Sequence, residues 1–211
     1  LGAQANRTNY IYDALGNLIG LTDALGNTRA FTYDSLGHRL TQTDAAKPGQ
    51  TGHVWSYQYD ANGNLTERLD ANGKSVRTTY DELDRATQMD LDSQPGIDFS
   101  FQYDQGANAI GRLSAVIGQN YEKRPTYDLL GRVTLEQKKI GGKDFDFANN
   151  YDLMGGVKTL TYPDGMTVDY AYDSAHQISK VSSDGKTFAD QFDFTPLGQL
   201  AQVNLGNGIV T

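Results

Sequence analysis

The 211-residue sequence has no cysteine, which excludes disulfide frameworks, thiolate metal sites and cysteine nucleophiles together. Basic residues are scarce: 18 Lys and Arg stand against 26 Asp and Glu, a net charge of −8. A phosphate-backbone binder needs clustered Lys and Arg, so no nucleic-acid partner is expected. No stretch approaches the roughly 18 consecutive apolar residues of a membrane-spanning helix. No window combines helical apolar spacing with capping residues, so no helix is expected at all. Proline is limited to five residues while aromatics reach 10%, a poor match to ordinary disorder.

Two residue types are in surplus. Glycine fills 23 positions, about 11% against a usual ~7%, and there are 13 tyrosines. An internal repeat accounts for both. One motif keeps returning: aromatic, any residue, aromatic, Asp, two residues, Gly, a polar residue, an apolar residue. It is clearest as Tyr12-Asp13 with Gly16, Tyr33-Asp34 with Gly37, and Tyr59-Asp60 with Gly63. It continues at Tyr80-Asp81, Tyr103-Asp104, Tyr127-Asp128 with Gly131, Tyr151-Asp152 with Gly155, and Tyr172-Asp173. The last copy, Phe194 to Gly198, has Thr195 in place of Asp. Nine copies recur every 21 to 26 residues, a regularity that chance does not produce.

The motif describes a β-hairpin. Aromatics two apart share one face of a strand and favour strands. Asp opening a turn accepts a bond from the backbone N–H two residues on, and Gly three later closes a type I turn. A left-handed residue after that turn makes a G1 bulge. Asp84 and His176 stand where Gly is expected, and both types are enriched at positive φ. Pro196 presets φ in the Thr195 copy. The Asp104 copy carries an insertion, predicting a longer loop over Gln105 to Ile110 before Gly111.

A second turn follows each first by about ten residues, as at Asp23 to Gly26, Asp70 to Gly73, Pro163 to Gly165, Ser183 to Gly185 and Gly206 to Gly208. Lys47-Pro-Gly49, Gln94-Pro-Gly96 and Gly141-Gly142 are expected to fill that role in longer connections. The expected fold is therefore all-β: tandem antiparallel hairpins, roughly 18 short strands, in a single repeat region over 1–211. A β-propeller is the rival, since two repeats have the size of one four-stranded blade. The odd repeat count and uneven spacing favour a continuous spiralling sheet. The sequence opens on Leu1 without a signal peptide and stops at Thr211 in what reads as a strand, so it is taken as a piece of a longer chain.

These residues resemble the YD-repeat, or RHS-repeat, family from about Tyr10 to Leu205, on the Tyr-Asp-x-x-Gly-(Arg/Asn/His)-Leu motif and its spacing. The family includes bacterial Rhs and wall-associated polymorphic toxins, the B and C components of insecticidal toxin complexes, and the teneurin ectodomain. The resemblance implies a hollow shell that, in bacterial members, encloses a C-terminal toxin. It implies as partners the remainder of that shell and an enclosed toxin domain, and secretion or delivery by a bacterial secretion system. The sequence departs from complete members. It is far shorter, it has no Asp-Pro dipeptide of the self-cleaving type, and it has no recognisable toxin domain. Self-cleavage and toxicity are not carried over.

Repeated tyrosines can stack on sugars and repeated carboxylates can bind calcium, but turn chemistry explains residues that recur in every repeat. A catalytic site needs unlike residues converging once. No catalytic residue, cofactor or metal is expected. Asp60-Ala-Asn-Gly-Asn64 resembles the start of a calcium loop yet lacks the distal Glu. His38, His53 and His176 are too scattered for zinc. Arg39, Arg112 and Arg132 follow turn residues and are expected to cover apolar surface with their stems. The basic residues around Lys123-Arg124 and Lys138-Lys139 are too few to overturn the acidic total. Trp55, beside Tyr57 and Tyr59, is the best single recognition spot, and sheet packing is its competing explanation. The expected function is a non-enzymatic scaffold, with a carbohydrate or cell-surface binding module as the alternative. Open sheet edges also predict self-association.

Overall fold

The computed structural model describes residues 7–44, 46, 52–91 and 96–210. The Lys47 to Gly49 turn, and Gln94 and Pro95 of the Gln94 to Gly96 turn, lie outside the described residues. Among the described residues there are eighteen strands and no helix. The chain forms two units, one ending at Ser100 and the other starting at Phe101.

The first unit holds β1 (Asn9–Tyr12), β2 (Leu18–Thr22), β3 (Thr28–Tyr33), β4 (Arg39–Thr43) and β5 (Val54–Tyr59). It continues with β6 (Leu65–Leu69), β7 (Ser75–Tyr80), β8 (Ala86–Asp90) and, at the boundary, β9 (Phe99–Tyr103). Each strand pairs antiparallel with the next. The second unit holds β10 (Leu113–Gly118), β11 (Tyr121–Tyr127), β12 (Val133–Ile140), β13 (Lys143–Tyr151) and β14 (Val157–Thr161). There follow β15 (Thr167–Tyr172), β16 (Ile178–Ser183), β17 (Lys186–Phe194) and β18 (Leu200–Leu205), again paired in chain order. Pairing does not break after every fourth strand: β4 pairs β5 and β13 pairs β14. Four-stranded propeller blades are therefore excluded in both units.

The turns explain the register. In the first hairpin the Asp13 N–H donates to the Asn17 carbonyl (3.0 Å) and the Gly16 N–H to the Asp13 carbonyl (3.2 Å). Gly16 takes φ +87° and the ladder shifts between Ile11 and Tyr12, the bulge that a left-handed glycine creates. The same shift stands beside Tyr33, Tyr59, Tyr80, Tyr127, Tyr151, Tyr172 and Phe194. Asp84 and His176 replace Gly with φ of 60° each. The insertion after Asp104 forms the expected loop, closed by the Asp104 N–H on the Arg112 carbonyl at 3.1 Å. The returning turns vary more. Gly141-Gly142, expected in a longer connection, is instead a two-residue turn, as is Asp184-Gly185; both have positive φ at both positions, the form whose twist suits a tight hairpin.

Little is deeply buried. Among the described residues the buried apolar side chains are Ala46, Ala109, Ala115, Pro125, Val168, Ala189 and Val203, all small or medium-sized. Stability must come from backbone ladders, turn clamps and contacts between hairpins rather than from a filled core.

Candidate functional site

Each motif Asp is a turn clamp. The Asp13 Oδ1 accepts from the backbone N–H groups of Leu15 (2.9 Å) and Asn17 (2.8 Å), and its Oδ2 from the Asn17 side-chain amide (2.9 Å). The pattern repeats with a different donor four residues on. That donor is His38 for Asp34, Asn64 for Asp60, Arg85 for Asp81 and Arg132 for Asp128. Asp152 and Asp173 keep both backbone bonds, to Met154 and Gly156 and to Ala175 and Gln177. Thr195 makes do with one, from the Gln199 N–H to its Oγ1 at 3.2 Å.

The bonds favour the charged carboxylate. The Asn17 side chain, then its N–H, hold the Asp13 carboxyl below its ordinary range. The Arg85 guanidinium does the same for Asp81. At Asp34 partial desolvation pushes upward, yet the His38 N–H and ring outweigh it and the net displacement is downward.

Neighbouring hairpins are joined by the motif tyrosine. The Tyr33 hydroxyl donates to the Leu18 carbonyl (3.0 Å), Tyr59 to Arg39 (3.0 Å) and Tyr80 to Leu65 (2.9 Å). In the second unit Tyr127 donates to Leu113 (2.8 Å), Tyr151 to Val133 (2.8 Å) and Tyr172 to Val157 (3.0 Å). Every acceptor is the first residue of the strand that leaves the preceding turn. The ladder between hairpins stops short of it: β2 and β3 pair only over Gly20 to Thr22. The tyrosine hydroxyl thus satisfies a carbonyl that the splayed strands leave open. Phe194 has no hydroxyl to offer the Ile178 carbonyl.

The ring above that hydroxyl rests on the preceding turn. His38 stacks on Tyr59 with centroids 4.9 Å apart, and the Arg132 guanidinium lies 4.5 Å from the Tyr151 centroid. Arg112 covers Tyr127 at 5.8 Å. At Gly156, which has no side chain, the Tyr172 ring fills the place where a Cβ would stand. His176 stacks on the same ring at 4.6 Å and reaches back to Asp152, Nδ1 to Oδ2 3.8 Å. Glycine serves a second purpose at Gly131, where a Cβ would lie 2.0 Å from the Arg112 guanidinium. At Asp84, where no glycine stands, the carboxylate instead accepts from Asn62 (2.9 Å) and Asn64 (2.6 Å) of the preceding turn.

The other candidate residues are drawn into the sheet. The Trp55 indole N–H donates to Asp44 (3.1 Å) and its ring lies under Arg68 at 5.9 Å. Tyr59 is committed to the Arg39 carbonyl. The Asp60 carboxylate accepts from Asn62 and Asn64, so the calcium-like stretch is a turn clamp. Arg39 lies over Phe31 at 5.2 Å. Glu136 bonds both Lys123 and Lys138 at 2.6 Å, while Arg124 pairs with Glu122 and Lys139 with Asp144. The basic stretch is therefore matched by acids on its own strands. His38 and His176 are joint residues, and His53 accepts the Asp44 N–H at its carbonyl. Tyr103 and Asp104 border the inserted loop, where Asp104 Oδ1 accepts the Gly111 N–H. Among the described residues no group of acids and histidines has the arrangement of a metal site. Sequence reasoning missed the hydroxyl-to-carbonyl joint and the stacking of His38, Arg112 and Arg132 on the following tyrosine. Its trace in the sequence is a long polar side chain just after the turn residue.

Taken together, the clamps and joints define a tandem-hairpin repeat protein whose recurring residues close turns and join neighbouring hairpins. Residues 12–47, 49–74 and 59–91 match the family model described as RHS Repeat. No curated protein matches the sequence. The fold is shared with the Photorhabdus luminescens Tc holotoxin pore, at 15% identity and a TM-score of 0.67 over 98% of this chain and 13% of that one. It is also shared with the TcdB2–TccC3–Cdc42 structure, at 13% identity and a TM-score of 0.55 over 99% of this chain and 16% of that one. The chain thus spans about one-seventh of the length of the structures it matches.

Proposed function

We propose that the chain is a non-enzymatic scaffold, a segment of a β-shell that encloses a C-terminal toxin in a bacterial Rhs-type protein. The observation that carries this reading is the repeated joint from tyrosine hydroxyl to preceding carbonyl, made by six successive or near-successive repeats with one geometry. A site that turns over a substrate gathers unlike residues once. Here the same residues do the same structural work in six hairpins. The fold shared with Tc complexes supports a shell as the larger context. Its partners would be the rest of that shell and the enclosed segment, and its setting a secreted or injected toxin. The nine repeats would act as one region, adding wall rather than chemistry.

Protease protection tests the enclosure. In the complete parent protein the segment after the repeats should resist a protease that cuts it readily once the repeats are unfolded. Equal cleavage in both states would contradict the proposal.

A further inference from the structure

The joint between the Asp173 and Thr195 hairpins lacks its hydroxyl, because Phe194 stands where the preceding joint has Tyr172. The ladder from β16 to β17 begins at Lys180, two residues beyond Ile178. Leu18, Leu65 and Val157 stand in the same place before their own ladders, and each accepts a tyrosine hydroxyl at its carbonyl. The Ile178 carbonyl occupies the position of those acceptors. The preceding turn lends no flat cover either: Gln177 replaces the His38 or Arg132 that lies over the next ring at Tyr59 and Tyr151. Beside this joint the backbone is strained. Gln191 takes φ +49°, the one positive φ of a described non-glycine residue inside a strand, and there the β17–β18 ladder skips from Asp190 to Asp193. A bulge re-aims the side chains next to it, and strain of this kind gathers at ligand sites.

These departures leave a cavity of about 300 Å³ lined by Gln177, Ile178, Phe192, Phe194, Gly198 and Leu200. Phe192 and Phe194 are half-buried and their rings run nearly parallel, 12° apart in plane with centroids at 6.5 Å. Apolar and aromatic walls with one or two polar groups are the make-up of a small-molecule site, and this volume is at the lower end of such sites. We propose that the cavity binds a small phenolic compound. Its ring rests on Phe192, Phe194 and Leu200, and its hydroxyl donates to the Ile178 carbonyl, the bond that a tyrosine makes at six other joints. A purely apolar ligand would leave that acceptor unpaired in apolar surroundings, which is unfavourable. A charged ligand would find no ionised side chain among the lining residues. This site is independent of whether the repeats enclose a toxin.

NMR titration of the 211-residue chain with p-cresol and with toluene, which differ by the hydroxyl alone, tests the proposal. p-Cresol should shift the resonances of Ile178, Phe192, Phe194 and Leu200 saturably. It should bind about fivefold more tightly than toluene, the worth of one hydrogen bond. Phe194→Tyr sets a hydroxyl on the same carbonyl and should abolish that preference. Leu200→Trp fills the cavity without touching the carbonyl and should weaken both probes about tenfold. No saturable shifts, shifts centred on other residues, or equal affinity for the two probes would overturn the proposal. So would an undiminished preference in Phe194→Tyr or binding indifferent to Leu200→Trp.

Discussion

The hydroxyl of Tyr80 donates to the carbonyl of Leu65 at 2.9 Å, tying one hairpin to the turn of the one before it. Leu65 is the first residue after the Asp60 turn, and the ladder between β6 and β7 begins only at Glu67. The bond closes the open end of that ladder. Tyr80→Phe should lower stability by about 1 kcal/mol, the cost of a lost hydrogen bond that leaves an acceptor exposed to fewer partners. Denaturant unfolding measures it, and an unchanged midpoint would count against the joint.

The converse change is available at the last motif. Phe194 occupies the tyrosine position, sixteen residues after Ile178, as Tyr33 lies fifteen after Leu18. Phe194→Tyr supplies the missing donor and should raise stability by about 0.5 kcal/mol. Its hydroxyl should also resist deuterium exchange longer than that of a free tyrosine.

Glycine at the turn is predicted to matter unequally. Gly16 and Gly131 both take positive φ, +87° and +78°. A Cβ at Gly16 meets nothing within 4 Å, whereas at Gly131 it strikes the Arg112 guanidinium that covers Tyr127. Gly16→Ala should therefore cost only the backbone strain, about 1 kcal/mol. Gly131→Ala should cost more. The excess should disappear in an Arg112→Ala background, as a double-mutant cycle would show.

Acid should loosen the turns. The carboxyls of Asp13, Asp60, Asp81 and Asp128 are held below their ordinary 3.8 in the folded chain, by Asn17, Asn64, Arg85 and Arg132 respectively. Unfolding returns them to that ordinary value, so the unfolded state binds protons first as pH falls. Their contribution is present in full above pH 3.8 and is lost as pH drops through the lowered folded values. Unfolding free energy followed from pH 7 downward should decline below pH 4. Asp81→Asn should make that decline shallower, and an unaltered acid limb would refute the clamp.

Much of this hairpin sheet was readable from residue order because turn chemistry is local. Asp13 to Gly16 specifies its own hairpin, and Asp84 and His176 declared their positive φ by type alone. The bulges beside Tyr12 and Tyr80 followed from the same few residues. Joints between hairpins were not readable. Tyr151 and the Val133 carbonyl are eighteen residues apart, and nothing in either type announces the other. Asn17, His38 and Arg132 looked merely polar in sequence. What they share is a donor able to reach Asp four residues back, and His38 and Arg132 add a flat surface for the next ring. Trp55 drew attention as a lone large aromatic, but Asp44 and Arg68 account for its indole and its face.

Electron cryomicroscopy of the complete parent protein tests the scaffold reading most directly. The account predicts these hairpins, in chain order and joined tyrosine to carbonyl, as one stretch of a sheet wall around an enclosed space that holds the downstream segment. A solid globule without an internal space, or hairpins regrouped out of chain order, would contradict it.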